Sequence, residues 1–176
     1  MLFTYIVKYS WEIILPFIKS LIRINLINCD IIIFVNQVTQ TVMNNLKSYG
    51  LKFYEIKVKL NNAYEIYQYR WKLYRDYLNE NESKYNIVLS VDVRDTIFQK
   101  DFFHLYENSG SFIGFSYESA TLIQLIHKEW IINTFGNETF KIIENKRTVN
   151  AGTIWGTSDN FLRFINIFCN KLSYLS

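Results

Sequence analysis

Two carboxylates follow the fourth short apolar run of the sequence. Asp92 comes directly after the run Asn86–Val91, and Asp95 stands three residues later, with Arg94 between them. In a turn that leaves a strand, two such carboxylates can converge on one hard cation such as Mg²⁺ or Mn²⁺, which prefers oxygen ligands and is commonly shared with substrate phosphates. The spacing leaves a simpler interpretation open, in which Arg94 pairs with one aspartate and the other caps the following turn.

The other reactive residue types offer little chemistry. Cys29 and Cys169 lie far apart without a CxxC or Cys/His grouping, so neither a zinc site nor a disulfide framework is expected. The two histidines, His104 and His127, are too few for a catalytic case, and we interpret both as structural. The sequence has neither a P-loop nor a GxGxxG dinucleotide fingerprint, which excludes those two modes of phosphate binding.

The composition predicts one globular domain. The 176 residues are 49% hydrophobic and 18% aromatic, with six Gly and one Pro, which excludes disordered and collagen-like chains. The net charge of +3 is scattered along the chain, so no nucleic-acid partner is expected. No apolar run approaches the roughly 20 residues of a transmembrane helix. We therefore expect a soluble, cytoplasmic protein, with the Golgi or another secretory lumen as the alternative if an N-terminal anchor is missing.

The elements that must position the carboxylates alternate between short apolar runs and longer amphipathic stretches. Strands are predicted at Phe3–Tyr9, Asp30–Val35, Leu51–Leu60, Asn86–Val91, Gly110–Tyr117 and Thr153–Trp155. Helices are predicted at Trp11–Ile24 (regular only from about Pro16), Val38–Tyr49, Asn62–Leu78, Thr121–Phe135 and from Ser158 or Asp159 to Phe168. This alternation predicts a single α/β domain with a mainly parallel, Rossmann-like sheet and helices on both faces. Ligands of such sheets bind beyond the carboxyl ends of the strands, where Asp92 stands.

The sequence around the acidic residues resembles a known enzyme family. The stretch Arg70–Leu78, a polar spacer and then Ile87–Phe102 look like the nucleotide-sugar-dependent glycosyltransferases of the GT-A fold. More narrowly, they resemble a group whose acidic motif reads Asp-x-Arg-Asp followed by Phe-Gln. The later segment Val149–Gly156 is similar to the Asn-Ala-Gly segment of the same enzymes. The opening segments Trp11–Leu21 and Cys29–Phe34 also fit, so the resemblance extends over nearly the whole chain.

The resemblance implies roles for the acidic motif and for one arginine. Asp92 and Asp95 match the pair that holds Mn²⁺ or Mg²⁺ together with the ribose and diphosphate of the donor, and Arg94 stands within this nucleotide-sugar-binding motif. Arg70, one helix earlier, matches a basic residue that reaches the nucleotide or its phosphates. The alternative for Arg70 is a solvated helix face.

Three further residues are implied in binding the nucleotide sugar. Asn150 and Gly152 are expected near the donor sugar or the acceptor, because glycine allows a ligand to approach the backbone closely. The alternative for this segment is a plain turn before a strand. Tyr9, at the end of the first predicted strand, is a candidate for stacking on the donor base.

The sequence also departs from the family pattern. The usual acidic motif of GT-A enzymes is Asp-x-Asp, whereas Arg94 takes the third position here, which puts a strict metal requirement in doubt. The chain stops at Ser176, soon after the last predicted helix, where relatives generally continue into acceptor-binding residues. We therefore expect a single domain over 1–176 that is incomplete at its C-terminus. No catalytic base or nucleophile can be named.

The predicted function is transfer of a sugar from a nucleotide-diphosphate donor to a glycan, protein or lipid acceptor. A truncated protein that binds nucleotide sugars without catalysis, or serves as an accessory protein, is the main alternative. A metal-dependent phosphohydrolase fits less well. Its Asp-x-Asp-x-Thr motif needs a second acid at the position of Arg94, which cannot protonate a leaving group as that acid does.

Overall fold

The structure is a computed structural model that describes residues 1–26, 28–81, 84–101, 103, 110, 112–121 and 125–172. The strands are β1 (Leu2–Val7), β2 (Ile31–Asn36), β3 (Phe53–Ile56), β4 (Ile87–Val91), β5 (Ile113–Thr121) and β6 (Arg147–Thr157). The helices are α1 (Trp11–Arg23), α2 (Gln40–Ser48), α3 (Ala63–Glu80), α4 (Leu125–Phe135), α5 (Asn137–Ile143) and α6 (Ser158–Leu172). His104 lies outside the described residues.

The strands form one six-stranded sheet in the order β3-β2-β1-β4-β6-β5. β1 pairs in parallel with both β2 and β4, and β2 pairs in parallel with β3. The register places Leu2 beside Ile31 and Phe3 beside Ser90. Because parallel strands end at a common edge, the residues that follow β1, β2 and β4 meet at the carboxyl edge of the sheet. The predicted mainly parallel α/β sheet is confirmed.

Alternation along the strands divides the side chains between two faces of the sheet. One face carries Leu2 and Ile6 of β1, which pack in an aliphatic core with buried side chains of α1 and α2. The opposite face carries Phe3, whose ring stacks on Tyr74 of α3 with centroids 4.5 Å apart and planes at 8°. α3 in turn packs against α6, where Trp71 meets the ring of Phe168 edge-on at 5.6 Å.

The chain divides into two compact units. The first comprises Met1–Gly114 and Trp155–Ser176, and the second comprises Phe115–Ile154. Within the first, Trp155 occupies the space beside Gly114, where an added Cβ would overlap the indole ring. Within the second, the guanidinium of Arg147 lies 5.3 Å from the ring centroid of Tyr117. The single domain over 1–176 stays a prediction.

Several predicted boundaries are wrong. α1 is regular from Trp11 and contains Pro16 in its interior. The proline ring is exposed while Ile14 and Ile18 are buried, so packing of the opposite side holds the first turn despite the lost backbone hydrogen bond. β3 is only Phe53–Ile56, since it is an edge strand with one neighbour. The short strand predicted at Thr153–Trp155 is the eleven-residue β6, and α5 has no counterpart among the predicted helices.

Among the described helices, none is long and apolar enough to cross a membrane.

Candidate functional site

The carboxyl end of β4 delivers Asp92 to the α3 face of the sheet. β4 ends at Val91, and residues 93–95 form a turn. Val91 and Val93 are both buried in the aliphatic core of the opposite face. Alternation therefore directs Asp92, between them, toward α3.

Arg70 of α3 meets Asp92 at this edge. The Nη1 of Arg70 donates a hydrogen bond to Oδ1 of Asp92, and the two groups form an ion pair. Arg70 is 6% exposed, whereas the Asp92 side chain is 40% exposed. The guanidinium lies 4.6 Å from the ring centroid of Trp71 and 5.6 Å from that of Tyr67. The alternative of a solvated helix face for Arg70 is therefore wrong.

The buried stripe of α3 explains why Arg70 points inward. Arg70, Trp71, Tyr74 and Leu78 recur at helical spacing and are all buried. Behind the ion pair, the hydroxyls of Tyr74 and Ser90 are neighbours, but neither meets hydrogen-bond geometry with any described group. Burial raises the pKa of the Tyr74 hydroxyl well above its usual range. Tyr74 is therefore a neutral wall behind the ion pair.

The second half of the acidic motif is open to solvent. Asp95 and Arg94 have side chains that are 80% and 69% exposed, with Nε of Arg94 3.7 Å from Oδ1 of Asp95. This is the pairing of Arg94 with one aspartate that the simpler interpretation of the motif describes. An exposed pair of this kind adds little stability and can separate readily.

The segment after Asp95 is anchored on α1 by Phe98. Its backbone N–H donates to Oγ of Ser20 over 3.0 Å, and its ring lies 5.7 Å from that of Phe17. Nη2 of Arg23 donates to the carbonyl oxygen of Phe98 at 3.2 Å. The acidic turn is thus held between β4 at one end and α1 at the other. This anchoring role of Phe98 was not predicted, although an apolar residue beside a charged motif was the available signal.

Tyr9 approaches the same turn from the end of β1. It lies two residues beyond Val7, after a change of chain direction at Lys8, which has a positive φ of 55°. Nζ of Lys8 donates to the carbonyl oxygen of Leu60 at 2.9 Å, which ties this bend to the chain before α3. Partial burial raises the pKa of the Tyr9 hydroxyl, and the nearby charge of Asp92 raises it further. The structure therefore brings Tyr9 within electrostatic reach of Asp92, Arg94 and Asp95.

Asp92 and Asp95 supply carboxylate oxygens, the ligand type that Mg²⁺ and Mn²⁺ prefer. Among the described residues, no group of three or more His, Cys, Asp or Glu side chains converges on one point. Mg²⁺ is usually held by one or two carboxylates together with substrate phosphates rather than by an all-protein cage. Arg70 uses Oδ1 of Asp92, and within the described part of the chain no hydrogen bond engages Oδ2. Two carboxylates alone would leave most of the coordination of such an ion to other oxygen atoms, such as those of a phosphate.

Asn150 and Gly152 lie in β6, in the part of this strand that belongs to the second unit. The backbone N–H of Gly152 donates to Oδ1 of Asn150 at 2.6 Å. Both residues belong to an eleven-residue strand, so the alternative of a plain turn before a strand is wrong. Their expected position near a donor sugar or an acceptor stays a prediction.

A cleft that was not predicted opens where β2 and β3 end. It has a volume of about 290 Å³, and its lining includes Asn36, Gln37, Met43, Lys57 and Lys59. No predicted site residue lines it. The polar pair that directly follows the apolar run of β2 was the signal in the sequence that could have indicated it.

The fold is similar to that of several solved structures. A crystal structure of an active-site mutant of LgtC is 15% identical, with 93% of this chain and 59% of that chain covered, at a TM-score of 0.52. Mouse xyloside xylosyltransferase 1 in its apo form is 12% identical, with 99% and 72% covered, at a TM-score of 0.57. Glucosyl-3-phosphoglycerate synthase from Mycobacterium tuberculosis, in complex with Mn²⁺, UDP and phosphoglyceric acid, is 12% identical, with 90% and 56% covered. Its TM-score is 0.49, and it carries no inference about this chain.

No protein-family model matches the chain, and no curated protein matches it by sequence. The chain spans 59% of the length of the LgtC structure. At identities of 15% and 12%, the likenesses show the fold alone. That fold is GT-A-like and Rossmann-type, a mainly parallel sheet with flanking helices, as predicted from the sequence.

Proposed function

We propose that this chain is a glycosyltransferase domain that transfers a sugar from a nucleotide-diphosphate donor bound at the carboxyl edge of β1 and β4. The observation that carries the proposal is the pairing of buried Arg70 with half-exposed Asp92, directly after a parallel strand of a GT-A-like sheet. The fold alone does not require an acidic site at this edge. An ion pair that is partly exposed to solvent can bind a charged ligand.

Each site residue has a role in this proposal. Asp92 and Asp95 would hold Mn²⁺ or Mg²⁺, which would neutralise charge on the donor diphosphate. Arg70 orients the Asp92 carboxylate, and Arg94 separates from Asp95 and faces the phosphates. When bound, the metal neutralises the negative charge that develops on the departing nucleoside diphosphate. Tyr9 contacts the base.

The sugar and the acceptor are the other two ligands of the proposed reaction. Asn150 and Gly152 are assigned to the sugar or the acceptor because of the sequence resemblance. The acceptor is a glycan, a protein or a lipid, and no residue is assigned as its base. The predicted compartment, the cytoplasm, stays a prediction.

Donor cleavage tests the proposal without knowledge of the acceptor. The chain is incubated with UDP- and GDP-sugars in the presence of Mn²⁺ or Mg²⁺, and release of the nucleoside diphosphate is measured. We expect slow, metal-dependent release that Asp95→Asn abolishes. Asp95 is exposed, so this variant keeps its fold. Asp30→Asn is the matched control, because Asp30 precedes β2 at the opposite edge of the sheet. Release that is unchanged in Asp95→Asn would contradict the proposal.

A nucleotide-sugar-binding protein without catalysis is the second candidate. The contact between Arg94 and Asp95 favours it, because a cation at this position competes with a metal for the carboxylate. Under this alternative the chain binds the donor nucleotide but releases nothing from it. Arg94→Ala then strengthens Mn²⁺-dependent binding and creates no cleavage.

A further inference from the structure

The buried stripe of α3 continues past the sheet to an exposed tyrosine. Arg70, Trp71, Tyr74 and Leu78 are each 6% exposed or less, whereas Tyr67, one turn earlier on the same stripe, is 57% exposed. A helical side chain covers the surface over the turn N-terminal to its own Cα. Tyr67 therefore extends the sheet-facing side of α3 beyond the carboxyl edge, where the core no longer covers it.

Tyr67 borders the acidic site through Arg70. Its ring centroid is 5.6 Å from the guanidinium carbon of Arg70, and Arg70 holds Asp92. The hydroxyl of Tyr9 interacts electrostatically with both Tyr67 and Asp92. Tyr9 follows β1 and Tyr67 lies in the first half of α3, so two tyrosines from different elements are within electrostatic reach of the site.

We infer that Tyr67 is a further donor-binding residue, and that its exposed ring, together with Tyr9, stacks on the planar base of the nucleotide. The inference rests on the proposed function and adds a residue that the acidic motif did not indicate. A flat aromatic surface of this exposure matches the face of a base, and stacking of this kind tolerates any base. A sugar ring instead needs several hydrogen-bonding partners, and the charged group beside Tyr67 is already engaged with Asp92.

Binding of nucleotides that lack the transferred sugar of the donor tests this assignment. Calorimetry with Mn²⁺ compares UDP, UMP, GDP and GMP for the wild-type chain and for Tyr67 variants. Tyr67→Ala should weaken binding of both the diphosphate and the monophosphate about tenfold or more, which is within the range of a lost base–aromatic stack. Tyr67→Phe keeps the ring and should stay within about twofold of the wild type. Tyr67→Leu keeps apolar bulk without a π-face and should behave like Tyr67→Ala.

The matched control is Tyr54→Ala. Tyr54 is 47% exposed, and its ring contacts Tyr77, ten residues further along α3 from Tyr67, or about 15 Å at the helical rise. Nucleotide binding should be unchanged in this variant, and the melting curves of all variants show whether the fold is kept.

Each outcome decides a different question. Wild-type binding that Tyr67→Ala leaves within about twofold overturns the inference and leaves the proposed function standing. A parallel titration with UDP-sugars and GDP-sugars checks the sugar, and a Tyr67→Ala loss of affinity confined to these donors, with UDP and UMP unaffected, overturns the assignment to the base. If the wild-type chain binds no nucleotide, the proposed function fails, and this inference fails with it.

Discussion

The two faces of the sheet differ in chemistry although the same strands build both. Toward α1 and α2, strands β1 and β2 present aliphatic side chains such as Ile6 and Val35, which are fully buried. Toward α3, the same strands present Tyr5 and Asn36, which share a hydrogen bond of 3.1 Å from the Asn36 amide. Strand alternation thus separates a stabilising face from a face that tolerates polar and charged groups. The candidate site stands where the second face reaches the carboxyl edge.

The largest effect on stability is expected from the aliphatic face. Leu46 of α2 is fully buried there, and Leu46→Ala should lower the free energy of unfolding by about 3 kcal/mol, as is typical of such truncations. Urea denaturation measures the change. The affinity of the folded fraction for nucleotides in the presence of Mn²⁺ should not change. A large loss of affinity would show that the aliphatic face also contributes to binding.

A smaller stability effect, coupled to binding, is expected at the edge of the α3 face. Arg70→Met removes a charged hydrogen bond to Asp92, which should cost about 2 kcal/mol of unfolding free energy, since bonds of this type contribute roughly that amount. Unlike Leu46→Ala, it should also weaken Mn²⁺-dependent nucleotide binding, with Arg70→Lys intermediate. Calorimetry on both variants checks this, and unchanged binding in Arg70→Met would remove Arg70 from the site.

Alkaline pH should destabilise the α3 face through Tyr74. Burial raises the pKa of its hydroxyl above the ordinary value of 10.0. Above pH 10.0 the unfolded chain ionises at this position while the folded chain does not, so stability is lost as pH rises, by about 1.4 kcal/mol per pH unit. Tyr74→Phe should remove this contribution and leave neutral-pH stability nearly unchanged.

Urea denaturation of wild type and Tyr74→Phe between pH 9 and about 11 measures the difference. Because other buried tyrosines and the lysines are common to both chains, only the difference between the two slopes is attributed to Tyr74. If the unfolding free energies of the two chains changed equally with pH, the neutral, solvent-excluded hydroxyl described above would be contradicted.

The smallest effect is expected at the opposite edge of the sheet. Lys84 and Asp30 also form an ion pair, with Nζ 2.6 Å from Oδ2, but their side chains are 57% and 48% exposed. Solvent screens such a pair, so Lys84→Ala should produce no measurable shift in the thermal midpoint. A shift as large as that of Arg70→Met would show that burial does not distinguish the two pairs.

Local patterns predicted most of the fold but not the contacts of the site. α3 was predicted within two residues because Asn62 caps its first turn, accepting from the N–H of Glu65 at 2.9 Å, and its apolar spacing is regular. β6 was predicted too short because its first residues, such as Arg147 and Asn150, show no apolar run. Pairing with neighbouring strands extends it.

In the candidate site, too, local sequence patterns predicted some features, whereas others depend on tertiary packing. The position of Asp92 at a strand end could be predicted from one apolar run followed by an acid. Its pairing with Arg70 could not, because the contact joins a helix and a strand through the packing of the Trp71 and Tyr74 rings. The exposure of Tyr67 likewise depends on where the sheet ends beneath α3, which the helical spacing does not indicate.

The most direct test of the account is calorimetric titration of UDP and GDP, with and without Mn²⁺, into the wild-type chain, Asp92→Asn and Asp95→Asn. We expect the wild-type chain to bind one of the two nucleotides only with Mn²⁺, and both variants to lose that binding, while Asp30→Asn retains it. Two results would contradict a donor site at Asp92. One is binding that does not require Mn²⁺ and is retained by both variants, and the other is no binding by the wild-type chain under any condition.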